Sequence, residues 1–260
     1  MKFLKRLMSK RNNAGFTLVE VVISVGLLGI LLLGMTIFVG PILQAAADTK
    51  GDIRASILAE TVNAYISRSL MNAQYVAVFE GITSVRDSDK NDSDHKADLD
   101  KVYANSALMP LKTYMEKDNN SNLYEVRCIS ITRKADDRTN QIKWMVNLNK
   151  VKKGVDSQIY YIEDSNPVFD DCFYDDLYPQ IIVEQAMKDA SSKAAALKLT
   201  INIYSDQEMQ SVSMIGDGFA QLINVPSNKV DNYVSFTKID PTTTKEHTDI
   251  YIFYVARKTF

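Results

Sequence analysis

Few residues in this chain have the type and spacing that chemistry needs. Its 260 residues include two histidines and two cysteines. An enzyme site needs a nucleophile, a base or a set of metal ligands that can converge, and the sequence holds no G-x-S-x-G, H-E-x-x-H or glycine-rich phosphate loop. His95 and His247 both fall in polar, loop-like stretches, which leaves no basis for a histidine triad. Asp170, Asp171, Asp175 and Asp176 crowd one connector and read as solvated acids, with a catalytic carboxylate pair as the sharper alternative. Cys128 and Cys172 form no C-x-x-C pair, so no zinc or thioredoxin-type site is indicated. They supply one disulfide if their domain lies outside the cell, and two reduced, partly buried thiols otherwise. Asp87, Asp89 and Asn91 follow the opening of a calcium loop, with Ser93 and Asp98 at later ligand positions. Asp92 stands where such a loop needs its sharp-turn glycine, and Asp98 replaces the bidentate glutamate. The stretch therefore reads as a solvated acidic loop, with a weak calcium site as the alternative. No enzyme and no cofactor is expected.

The exception is Glu20. After it the next charged residue is Asp48, and residues 21–43 are 23 apolar, small or weakly polar positions. A bilayer-spanning helix needs about 20 such residues, and the apolar part of a secretory signal only about 7–15. A signal cut near Ala47, after the small-residue run Ala45-Ala46-Ala47, is the rival reading. An ionisable group in a membrane-length run points to function and asks for a partner. No Lys or Arg lies within two turns after Glu20. If the chain were cut between Gly15 and Phe16, the new α-amino group at Phe16 would be a cation able to pair with the carboxylate of an adjacent copy.

The flanking charge fits a membrane segment. Residues 1–15 hold Lys2, Lys5, Arg6, Lys10 and Arg11 and no acid, a bias that keeps the N-terminus cytoplasmic. With −2 overall and +5 in those residues, residues 16–260 carry −7, which disfavours nucleic acid as a partner. Two basic clusters, Lys150, Lys152 and Lys153, and Arg133, Lys134 and Arg138, flank Trp144. On one face they would suit DNA phosphates; as turn-region charges they only solvate.

The stretch Gly15-Phe16-Thr17-Leu18-Val19-Glu20, behind a short basic leader, resembles the N-terminal signature of type IV pilins and the related pseudopilins. The resemblance implies a membrane peptidase that cuts after Gly15, N-methylation of Phe16, and Glu20 as the assembly carboxylate. It also implies prepilin peptidase, other pilin subunits and the pilus assembly machinery as partners, with membrane lipid around the helix before assembly; DNA binding, open on the basic clusters, is not indicated. The family's usual mid-helix proline is displaced here to Pro41. The rather large ectodomain leans towards a minor subunit, while the retained Glu20 argues against the specialised tip subunit of pseudopili.

The elements that must position this site follow. Residues 1–15 read as the leader and 16–43 as the transmembrane and assembly helix. Residues 44–80 read as an amphipathic continuation, with Ala55, Leu58, Ala59, Val62, Ile66 and Leu70 on one stripe. The spacing carries one helix from about Phe16 to Val78. Residues 81–260 read as an extracytoplasmic α+β domain. Its segments 123–133, 142–149, 158–164, 196–205, 210–215 and 249–257 alternate as strands, residues 83–100 read as loop, 101–119 as a short helix or loop, and 180–195 as helix or strand. The expected fold is α+β, a long N-terminal helix packed on a mostly antiparallel sheet.

Overall fold

The computed structural model describes residues 17–83, 92–116, 123–135, 142–153, 160–174, 176–185, 194–206, 209–226, 234–239 and 248–257. The chain divides into two compact units, Met1–Gly51 and Asp52–Phe260. One helix, α1 (Leu18–Met71), has residues in both.

In the first unit α1 is apolar on every side, and its large side chains from Leu18 to Leu43 are all exposed. A helix without a polar face is suited to lipid or to the interior of a bundle, not to water. It is the one helix among the described residues long and apolar enough to cross a membrane. Pro41 lies inside it. Its missing N–H removes one helical bond, a loss that membrane helices tolerate.

In the second unit α1 changes character. Ala55, Leu58, Val62, Ile66 and Leu70 are buried while Ile57, Glu60 and Arg68 are exposed, the one-sided pattern of a helix lying on a core. The helix stops at Met71, well short of the expected Val78. Residues Val76–Thr83 form strand β1 instead, so the amphipathic continuation does not reach residue 80. The reason is burial on both faces: Ala77 and Phe79 point one way, Val76 and Val78 the other, and all four are buried. A helix stripe covers one face only, whereas a central strand needs apolar residues on both.

The remaining elements are α2 (Asp92–Tyr103), a single 3-10 turn (Ser106–Leu108), α3 (Met109–Glu116), β2 (Tyr124–Ala135), β3 (Ile142–Lys153), β4 (Tyr160–Pro167), α4 (Asp171–Tyr174), β5 (Tyr178–Gln185), β6 (Ala194–Tyr204), β7 (Val212–Pro226), β8 (Val234–Lys238) and β9 (Thr248–Arg257). Six strands form one sheet in the order β4-β3-β2-β9-β1-β8, and three form another in the order β5-β6-β7. All pairings are antiparallel except β1 with β8. The expected α+β fold, a long helix and a mostly antiparallel sheet, is the observed one.

Two apolar clusters use the two faces of the larger sheet. In the first, the buried stripe of α1 packs with Val78, Ile131 and Ile252 of the larger sheet and with Ile181, Leu199 and Ala220 of the smaller one. The second joins Phe79, Val126 and Phe253 to Val102 of α2 and Leu108 and Leu111 beyond it. Strand alternation sorts the residues: Val126 and Cys128 enter the second cluster, Ile129 and Ile131 the first. A kink at Gly81 (φ 83°) accompanies a register shift between Phe79 and Ile82; glycine enters this left-handed region without the Cβ penalty. Tyr174 closes the first cluster, and its hydroxyl accepts from the Val146 N–H of β3 at 3.1 Å.

Strand β7 is much longer than the expected 210–215. Its Gly216-Asp217-Gly218 run reads as a turn in sequence, yet both glycines lie in the strand where α1 crosses it closely. A Cβ on Gly216 would sit 3.2 Å from the Ala59 Cβ, and one on Gly218 would overlap the Asn63 side chain. Glycine is used here for approach rather than for turning.

Candidate functional site

Thr17 and Glu20 build the start of α1 between them. The Thr17 N–H and the Thr17 hydroxyl both donate to Glu20 Oε2, each at 2.9 Å, and the Glu20 N–H donates back to the Thr17 hydroxyl at 3.3 Å. This is a reciprocal capping box, which satisfies two of the N–H groups that a helix start leaves open. Ser24 adds a hydroxyl bond to the Glu20 carbonyl at 2.7 Å. Glu20 Oε1 meets no donor among the described residues. One oxygen of the carboxylate thus holds the helix start and the other faces outward from an exposed residue. The sequence does contain this signal, T-x-x-E before an apolar run, and reading Glu20 only as a membrane anomaly passes over it. Gly15 and Phe16 lie outside the described residues.

The geometry therefore offers a carboxylate that is held at a fixed point on a helix apolar all round. Residues 10–36 match the family model described as the prokaryotic N-terminal methylation motif. The match supports a type IV pilin-like family. No curated protein and no solved structure matches the chain. The match covers Lys10 and Arg11, the box and the first apolar turns of α1; the second unit rests on its own structure.

The other sequence candidates sort differently. Ser93 and Asp98 lie in α2, not in a loop, and Asp87, Asp89 and Asn91 lie outside the described residues. The Asp98 carboxylate is already engaged: Oδ2 accepts from the Thr83 N–H at 3.1 Å and the Thr83 hydroxyl at 2.8 Å, and Oδ1 accepts from Lys101 at 2.7 Å. Burial pushes this carboxyl up, but Lys101 and the two Thr83 donors outweigh it and hold it below its ordinary value. Asp98 thus fastens α2 to the end of β1, and residues from Asp92 onward are helix where the sequence reads as loop. No group of three metal-ligating side chains occurs among the described residues. His95 sits on α2 with Nδ1 donating to the Thr83 carbonyl; His247 is outside the described residues. Asp170 caps α4 through the Phe173 N–H at 3.1 Å. The basic clusters are not brought together: Arg133 and Lys134 pair with Trp144 and Lys143, while Lys150 pairs with Arg127 further along the hairpin. Six residues of strand separate Trp144 from Lys150, about 20 Å, and Arg138 lies outside the described residues.

The two cysteines are free and placed apart. Cys128 is fully buried in the second cluster, while Cys172 is exposed on α4, whose Tyr174 belongs to the first. Burial pushes the Cys128 thiol well above its ordinary value. One thiol should therefore react with a thiol-specific reagent in the native chain and a second only after unfolding. A native chain in which neither reacts would carry the disulfide instead.

Proposed function

We propose that this chain is a structural, non-enzymatic subunit of a type IV pilus or a related pseudopilus. A prepilin peptidase cuts it after Gly15, Phe16 is N-methylated, and the mature subunit polymerises through α1. Before assembly the apolar part of α1 is held in lipid, with residues 1–15 cytoplasmic and the second unit outside the membrane. Afterwards the subunit is part of a filament at the cell surface. The single observation that carries the reading is the methylation motif at residues 10–36, set on a helix whose large side chains up to Leu43 are all exposed. Polymerisation takes that surface from lipid into a bundle without exposing it to water. The second oxygen of Glu20 meets the Phe16 amine of a neighbour, and in low dielectric, where desolvation offsets much of the attraction, that pairing sets axial register more than bulk stability.

Mass spectrometry of the mature N-terminus tests the processing step. N-methylated Phe16 is the expected result. A chain starting at Met1 would point to an anchored binding module that never polymerises, and one starting near Asp48 to a secreted product.

A further inference from the structure

The outer face of α1 in the second unit carries two charges that no other described residue answers. Glu60 and Arg68 are both exposed, and neither makes a hydrogen bond or ion pair among the described residues. They are eight residues apart, about 12 Å along the helix, beyond the i+3 and i+4 spacings at which helical side chains meet. Ile53 and Ile57, on the same side, are 55% and 54% exposed. Beside Arg68 lies a groove of about 400 Å³ lined by Thr61, Ala64, Tyr65, Arg68, Ser69 and Phe169. Its floor is firm: Phe169 stacks on Phe173 with centroids 4.4 Å apart and meets Tyr65 edge-on at 5.8 Å.

We propose that this face binds a second copy of the same chain in parallel orientation, shifted by eight residues, so that the neighbour's Glu60 pairs with Arg68 and its Ile57 enters the groove. The charges choose the partner and the shift together. A neighbour whose residue 60 lies level with residue 68 brings its residues 53 and 57 level with 61 and 65. Those are the positions the groove occupies, so one displacement satisfies the ion pair and covers both isoleucines. An antiparallel neighbour cannot do this, because residue 57 would then lie level with residue 71. An acid and an apolar residue one turn apart on the docking helix match a guanidinium beside an apolar trough. Parallel orientation rests on the pilin reading above, in which each copy is anchored by the same N-terminal segment.

The test uses full-length chains in membranes, all carrying Cys172→Ser so that no native thiol is exposed. Glu60→Cys and Arg68→Cys chains with different tags are co-expressed and oxidised. The expected result is a mixed 60–68 dimer at least tenfold above either like-with-like dimer. No dimer, or equal amounts of all three, would overturn the proposal. Charge reversal supplies the second arm: Arg68→Glu and Glu60→Arg each weaken association of the full-length chain in detergent at least tenfold, and the double reversal restores it to within about threefold. Failure of the double reversal to restore association overturns the pairing. The mixed dimer in a chain that forms no filaments would leave the contact standing and sink the polymerisation reading instead.

Discussion

Gly218→Ala lowers the stability of the second unit by about 2 kcal/mol, within the range for overpacking a well-filled interior. For a domain of this size that is a fall of about 4–8 °C in midpoint. The cause is local. The added Cβ would lie 2.0 Å from Nδ2, 2.2 Å from Oδ1 and 2.3 Å from Cγ of Asn63, and swinging Asn63 aside gives up the Ser67 hydroxyl bond to its Oδ1 at 3.2 Å while the buried stripe holds α1 in place. Either α1 lifts from β7 or Asn63 gives up its site. Replacing Asn63 removes all three clashing atoms, so Gly218→Ala in an Asn63→Ala background should cost less than about 0.5 kcal/mol, a coupling that a double-mutant cycle measures directly. Gly216→Ala is the graded control: its nearest neighbour is the Ala59 Cβ at 3.2 Å, a contact that needs a shift of only a few tenths of an ångström. Thermal unfolding of the full chain in detergent, followed by circular dichroism, gives all four values. A Gly218→Ala midpoint equal to that of wild type would mean that α1 and β7 are not packed as described.

The same glycines mark where the sequence could be read and where it could not. The buried stripe of α1 was legible because Ala55, Leu58, Val62 and Ile66 repeat at helical spacing, and β2, β3, β6 and β9 because their faces alternate. The start of β1 was not. Ala73 and Val76 fit the helical stripe as well as a strand, and only the partners β8 and β9, far away in sequence, settle it. The greater part of β7 was hidden because Gly216 and Gly218 look like a turn, when the feature they serve is a helix crossing that no local pattern reports. The acidic stretch was misread as loop for a third reason: its composition is polar, whereas Asp92–Tyr103 is helix, fastened to β1 by the Asp98 bonds to Thr83 that no local pattern reports. At the candidate site the types were legible and the arrangement was not: Glu20 stood out as an ionisable group at the start of an apolar run, but its bonds to Thr17 turn a lone charge into a held one.

That arrangement makes two substitutions of Glu20 informative where one is not. Glu20→Ala removes both the cap and the charge. Glu20→Gln keeps a side chain that completes a capping box but removes the charge that would meet the Phe16 amine of a neighbour. Losing the cap costs about 1 kcal/mol, which is about fivefold in any equilibrium that depends on it. Leaving the neighbour's amine buried without its partner costs about 3–5 kcal/mol, or about 150- to 4,000-fold. If the ion pair drives incorporation, Glu20→Gln is nearly as defective as Glu20→Ala when each is co-expressed with tagged wild-type subunit, and both enter filaments at less than about one hundredth of the wild-type share. If Glu20 serves only to start the helix, Glu20→Gln assembles within about fivefold of wild type and only Glu20→Ala is impaired. Mass spectrometry of the same samples separates assembly from processing, since a variant that keeps its first 15 residues never presents the amine at all. A processed, N-methylated Glu20→Gln subunit that incorporates like wild type would remove the carboxylate from the assembly mechanism and leave it as a cap.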